Sequence, residues 1–142
     1  MKTAAFAREL RRLVFDLNCG DHVVFHGYAN DVSSLMREID IVALPSLREP
    51  FGRVAVEAML AQRPVVASNV DGLGEIVVHQ ETGRLTSADD HRDLANALVQ
   101  LSNDPTVRQR FGQAGRKRAL ERYSPTQSAL RIRDVYEQLA DC

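Results

Sequence analysis

Phe6, Leu10, Leu13, Val14 and Leu17 recur at the spacing of one helical face, which predicts an amphipathic helix over residues 4–17. Asn18, Cys19 and Gly20 end that pattern, with Gly20 as the expected C-cap. Val23, Val24 and Phe25 then form a short β-prone run closed by Gly27, and Asn30 or Asp31 is suited to cap a helix running to about Glu38. Ile41 to Leu44 is apolar at every position, as in a parallel strand covered on both faces. A helix over about 53–61, a strand over 64–67, a turn-rich stretch from Asn69 to Gly74, a short helix over 75–79 and a short strand over 83–86 follow. The last third is helical at about 89–102, 105–122 and 125–140. Asp89 and Asp104 stand at N-cap positions, and Pro105 and Pro125 at first helical positions. Strands alternating with helices predict a parallel α/β sheet, with the helical tail packed over it.

The chain has 142 residues, the size of one domain, with no internal repeat or low-complexity tract. Its 18 basic and 19 acidic residues leave a net charge of −1, so the composition carries no nucleic-acid footprint and no electrostatic membrane anchor. No apolar run approaches a membrane span, and the N-terminal residues turn charged from Arg8 onward instead of forming a signal-peptide core. Cys19 and Cys142 are expected to be ordinary thiols in a reducing cytoplasm. There is no CxxC or Cys/His cluster, and His22, His26, His79 and His91 show neither ligand nor triad spacing, so no metal is expected. The basic run Arg116-Lys117-Arg118 with Arg122 is expected to be a solvated helix face.

Candidate chemistry concentrates between Pro45 and Met59. A loop broken by Pro50 and Gly52 joins an apolar strand to an apolar helix, with Glu49 and Glu57 on either side and seven residues between them. Glu57 is the single charge from Val54 to Ala61, and a carboxylate among apolar residues needs water or a partner. Strand-to-helix turns are where open α/β sheets bind ligands. Phe51, Gly52, Arg53 and Val54 open the helix, whose free N–H groups and positive dipole end suit phosphate oxygens. The bland alternatives are a solvated Glu57, an ordinary loop charge at Glu49, core packing by Phe51 and a surface aromatic at Tyr28.

Val23-Val24-Phe25-His26-Gly27-Tyr28, Asp40-Ile41-Val42-Ala43-Leu44-Pro45-Ser46, Glu49-Pro50-Phe51-Gly52, Val56-Glu57-Ala58-Met59 and Pro64-Val65-Val66-Ala67-Ser68, in this order, resemble the glycosyltransferases of group 1, the glycogen-synthase-like retaining enzymes of the GT-B fold. The likeness continues through Glu75-Ile76-Val77, Thr82-Gly83, Asp104-Pro105 and Ala114-Gly115-Arg116. It implies a partial Rossmann-like parallel sheet with C-terminal helices. Residues 1–142 would form part of the nucleotide-sugar (donor) binding domain, with a helical tail from about 89, and the domain's first two strands would be missing. It also implies retaining transfer of a glycosyl group from a UDP- or GDP-linked sugar, with no cofactor and no metal. The acceptor, a sugar or lipid, would be held by an absent N-terminal domain. The expected setting is cytoplasmic, peripheral at the membrane for the complete protein. By that likeness Glu57 accepts hydrogen bonds from the ribose hydroxyls, and Glu49 holds donor-sugar hydroxyls as the candidate catalytic carboxylate. Phe51, Gly52, Arg53 and Val54 then face the diphosphate, and Gly27 and Tyr28 face the base.

The sequence departs from the family pattern in several places. Pro50 stands where Gly is commoner and removes one N–H donor. Arg53 replaces an aliphatic residue and offers a guanidinium to phosphate. Gln62 replaces a helix-ending Gly, which costs about 1 kcal/mol if the backbone is left-handed there. Asp71 and Gly74 alter a loop that usually reads Gly-Gly-x-Pro-Glu. The basic pair that clamps the diphosphate falls in the absent leading part. Without the two leading strands, the sheet is expected to expose edges and the chain to self-associate, and the isolated chain is expected to be inactive. The competing function is a non-catalytic nucleotide-sugar-binding or interaction module.

Overall fold

β2 (Val65–Ser68) is buried at all four positions and lies between β1 (Val42–Leu44) and β3 (Gly83–Thr86) in a parallel sheet of order β1-β2-β3. Val42 pairs with Val65, and Val65 in turn with Gly83. The computed structural model describes residues 2–140; Cys142 lies outside the described residues. Alternation along β2 divides the core between two faces. Val65 and Ala67 pack with Met36, Ala55, Met59, Leu73 and Ile76, while Val66 packs with Ala97, Leu101 and Phe111.

The connecting elements are α2 (Val32–Glu38), α3 (Arg53–Leu60) and α4 (Asp71–Ile76), followed by α5 (His91–Asn103), α6 (Pro105–Tyr123) and α7 (Pro125–Ala140). α6 reaches α3 through small residues. A side chain at Gly112 would stand 2.1 Å from the Gln62 carbonyl oxygen, and one at Gly115 would stand 3.2 Å from Met59 Cγ. α7 has no buried residue, so of the expected tail only α5 and α6 contribute to the core.

The chain divides into two compact units between Asn30 and Asp31. The first carries α1 (Lys2–Asp16) and a 3-10 turn (Gly20–His22). Asn18, with φ 51°, takes the left-handed position after α1, and the Cys19 N–H donates to the Val14 carbonyl at 3.1 Å. The cap is therefore Asn18 and not Gly20, because the chain reverses two residues earlier than the glycine. Val23 is extended, yet Val23–Phe25 belongs to no strand, and His26 follows it in irregular backbone. A strand exists through its ladder, which β propensity alone does not supply.

One further local expectation is narrowed to a single residue and three shift. Asp31 caps α2, its carboxylate accepting from the Ser34 N–H at 2.9 Å and the Ser34 hydroxyl at 2.6 Å. These bonds stabilise its charged form and hold its pKa below the usual carboxylate value. Asp90, not Asp89, caps α5, since Asp89 takes φ 62° in the preceding turn. α4 begins at Asp71, four residues before the expected start, because the loop after β2 turns immediately into helix. Ala43 of β1 is exposed, since β1 is an edge of the sheet and only partly covered. Among the described residues, no helix is long and apolar enough to cross a membrane.

Candidate functional site

Adjacent parallel strands end side by side, so the loops that leave β1 and β2 meet above the same edge of the sheet. Gly52 caps α3 with φ 90° and ψ 46°, a left-handed conformation natural to glycine. It is also needed for space, since an added Cβ would stand 2.8 Å from Leu73 Cδ2. Its N–H donates to Glu49 Oε1 at 3.1 Å, which places the Glu49 carboxylate at the head of α3. The Arg53 and Val54 N–H groups open the helix, where no intrahelical carbonyl is available to them.

Glu57 lies one turn further along α3. It is half-buried and pairs with Arg53, Nη2 to Oε1 at 3.5 Å, the side chains being 37% and 83% exposed respectively. An exposed i,i+4 pair of this kind contributes about 0.3–0.5 kcal/mol, so either partner is easily released to a ligand. Phe51 is half-exposed and meets Tyr123 edge to face, with ring centroids 6.2 Å apart. It is therefore only partly a packing residue.

The start of α4 grips the loop after β1. Asp71 Oδ2 accepts the Glu49 N–H at 3.2 Å, and the Gly72 N–H donates to the Glu49 carbonyl at 3.2 Å. A Cβ at Gly72 would stand 2.4 Å from the Phe51 carbonyl oxygen, so the two segments can approach this closely only with glycine there. The structure thus brings Glu49, Phe51, Gly52, Arg53, Val54 and Glu57 together at one strand-to-helix turn. Gly27 and Tyr28 belong to the first unit, where Gly27 is left-handed at φ 78° and Tyr28 is 90% exposed.

A groove of about 680 Å³ runs beside α3 from Glu57 to Arg63 and is also lined by Arg37, Arg108 and Arg116. All four guanidinia are already engaged, that of Arg37 by the Ser34 hydroxyl oxygen at 2.8 Å. Arg63 donates to the Met36 and Arg37 carbonyls, Arg108 to Leu101 and Ser102, and Arg116 to Leu60. Each of these three neutralises the carbonyl end of a helix, so the groove is a meeting of caps and the loop junction remains the better candidate site. Arg118 does the same for α4, donating to the Glu75 and Ile76 carbonyls. Of the basic run expected to be a solvated face, only Arg118 is therefore half-buried; Arg116, Lys117 and Arg122 are exposed, Lys117 pairing with Glu121 at the surface. Among the described residues, no group of three or more His, Cys, Asp or Glu side chains is arranged to hold a metal ion.

The position of Asp71 escaped sequence reasoning as a site feature; its departure from a glycine pattern was the available signal. Comparison with known proteins places this arrangement in context. The family model described as glycosyl transferases group 1 matches residues 5–118. A phosphatidyl-myo-inositol mannosyltransferase of Mycobacterium leprae is 38% identical over 123 residues, covering 84% of this chain and 33% of the relative. Among solved structures, a sucrose-phosphate synthase from Thermosynechococcus elongatus is 36% identical with a TM-score of 0.87, over 96% of this chain and 35% of that one. The Anabaena protein HepE in complex with UDP is 30% identical with a TM-score of 0.93, over 97% of this chain and 38% of that one. The chain spans about a third of the length of the curated relatives it matches. These likenesses agree with the expected parallel α/β fold, here a three-stranded sheet with C-terminal helices.

Proposed function

This chain belongs to the group 1 glycosyl transferases, and from that premise we propose that it supplies the donor-binding half of a retaining transfer from a nucleotide-sugar to an acceptor. The carrying observation is the turn after β1, where the Glu49 carboxylate, the open N–H groups of α3 and Glu57 succeed one another within two helical turns. The helix end and Arg53 attract the diphosphate and stabilise the charge it gains as its bond to the sugar breaks. Glu57 exchanges its weak Arg53 contact for the two ribose hydroxyls. Glu49 orients donor-sugar hydroxyls, and its charge favours the positive character that develops at the anomeric carbon. Gly27 and Tyr28 meet the base, the glycine through its backbone.

UDP is the first nucleotide to test, because HepE, similar in sequence and fold, has been solved with UDP and with UDP-glucose. The acceptor, a sugar or lipid, engages parts of the complete enzyme outside this sequence. The setting is cytoplasmic, peripheral at a membrane where the acceptor is a lipid.

The test is an amide NMR titration of the chain with UDP, GDP and ADP. Shifts clustered at Gly27, Phe51–Val54 and Glu57 are expected. Glu57→Gln should weaken the preferred nucleotide by about tenfold or more, the worth of a charged hydrogen bond. Dispersed spectra that no nucleotide perturbs would overturn the assignment and favour an interaction module.

A further inference from the structure

We propose that Asp71, the first residue of α4, is a positioning residue that fixes Glu49. The role rests on the assignment of Glu49 to the donor sugar. Two observations carry it independently. Asp71 Oδ2 takes the Glu49 N–H across 22 positions of sequence. Asp71 also holds a φ of +38°, in the left-handed region that side chains disfavour. A strained non-glycine residue persists where its surroundings over-determine it, and such residues cluster at functional sites.

The grip is complete at the level of the backbone. Asp71 holds the Glu49 N–H and Gly72 holds the Glu49 carbonyl, so the direction of the Glu49 Cα–Cβ bond is set. Only the side-chain torsions remain free, and these are restrained by the Gly52 N–H on Oε1. Asp71, Glu49 and Gly52 thus form a relay from the start of α4 to the head of α3. A carboxylate held in this way reaches its ligand with little ordering left to do. A glycine at 71 would relieve the strain and release the N–H; an asparagine would keep an acceptor oxygen in place.

The experiment compares Asp71→Gly, Asp71→Asn and Glu49→Gln in this chain, using UDP-glucose and UDP as probes, with amide exchange followed at Glu49 and Gly52. Asp71→Gly is expected to keep the melting temperature or raise it, and to speed exchange at Glu49 and Gly52. It should also reduce the preference for UDP-glucose over UDP by about fivefold, the net worth of one hydrogen bond. Asp71→Asn should restore both readouts. A clasp with no role beyond loop stability would lower the melting temperature and leave the preference unchanged, and that result overturns the proposal. Unchanged exchange at Gly52 in Asp71→Gly overturns it as well. If Glu49→Gln leaves the preference intact, or if neither probe binds, the sugar assignment of Glu49 fails, and exchange at Gly52 alone decides whether Asp71 positions that carboxylate.

Discussion

Gln62 follows the C-cap of α3 with a φ of +59°, and its carbonyl packs against Gly112 of α6. A left-handed backbone at a residue with a side chain bears strain that glycine would not. Relief of roughly 1–2 kcal/mol, less the extra freedom glycine brings to the unfolded chain, leaves Gln62→Gly more stable by about 0.5–1 kcal/mol. Denaturant unfolding at constant m-value checks this. Asp31 gives a second residue-scale prediction. Its folded-state pKa is depressed by the Ser34 bonds, so its stabilisation of α2 is present above the unfolded value, near 3.9. That stabilisation is lost as pH falls through the lower, folded value. Protection of the Ser34 amide should fade over that window and be absent above it in Asp31→Ala.

Helices here are finished by arginines from other elements. Arg118 of α6 donates to the last carbonyls of α4 at 2.8 and 2.7 Å, 42 and 43 positions away in sequence. Arg63 closes α2, and Arg116 closes α3. Removing the planar fork leaves carbonyls unpaired beneath α6, so Arg118→Ala is expected to lose about 1–3 kcal/mol. Arg118→Lys should recover only part of that, because an ammonium lacks the fixed pair of donors. Thermal unfolding of the three proteins distinguishes these outcomes. The N-terminal caps of α2 and α6 were legible in sequence because they are local: Asp31 reaches Ser34 and Asp104 reaches Val107, each three residues on. The arginine caps were not, because a cap from another helix has no sequence spacing.

At the scale of the molecule, the two sheet edges differ. β3 is closed by the preceding turn, where His79 Nδ1 accepts the Leu85 N–H at 3.0 Å and the Gln80 N–H donates to the Gly83 carbonyl at 2.9 Å. The described sheet ends at β1, whose Ala43 is exposed, and α7 presents Ile132, Val135, Tyr136 and Leu139 to solvent. An unpaired edge recruits another strand. The chain is expected to self-associate in light scattering as concentration rises, and Ala43→Lys to reduce the effect; a monodisperse monomer at millimolar concentration would contradict this. The order of helices and strands from Ile41 onward, the break at Gly52 and the candidate pair Glu49 and Glu57 are legible in the amino-acid chain. Each of these follows from short-range periodicity, turn chemistry or an ordered set of motifs. Tertiary structure alone decided that Val23–Phe25 is not a strand, that arginines close the helices and that Asp71 grips Glu49. Those outcomes depend on which distant backbone groups meet, and pairing across tens of residues leaves no period in the chain to read.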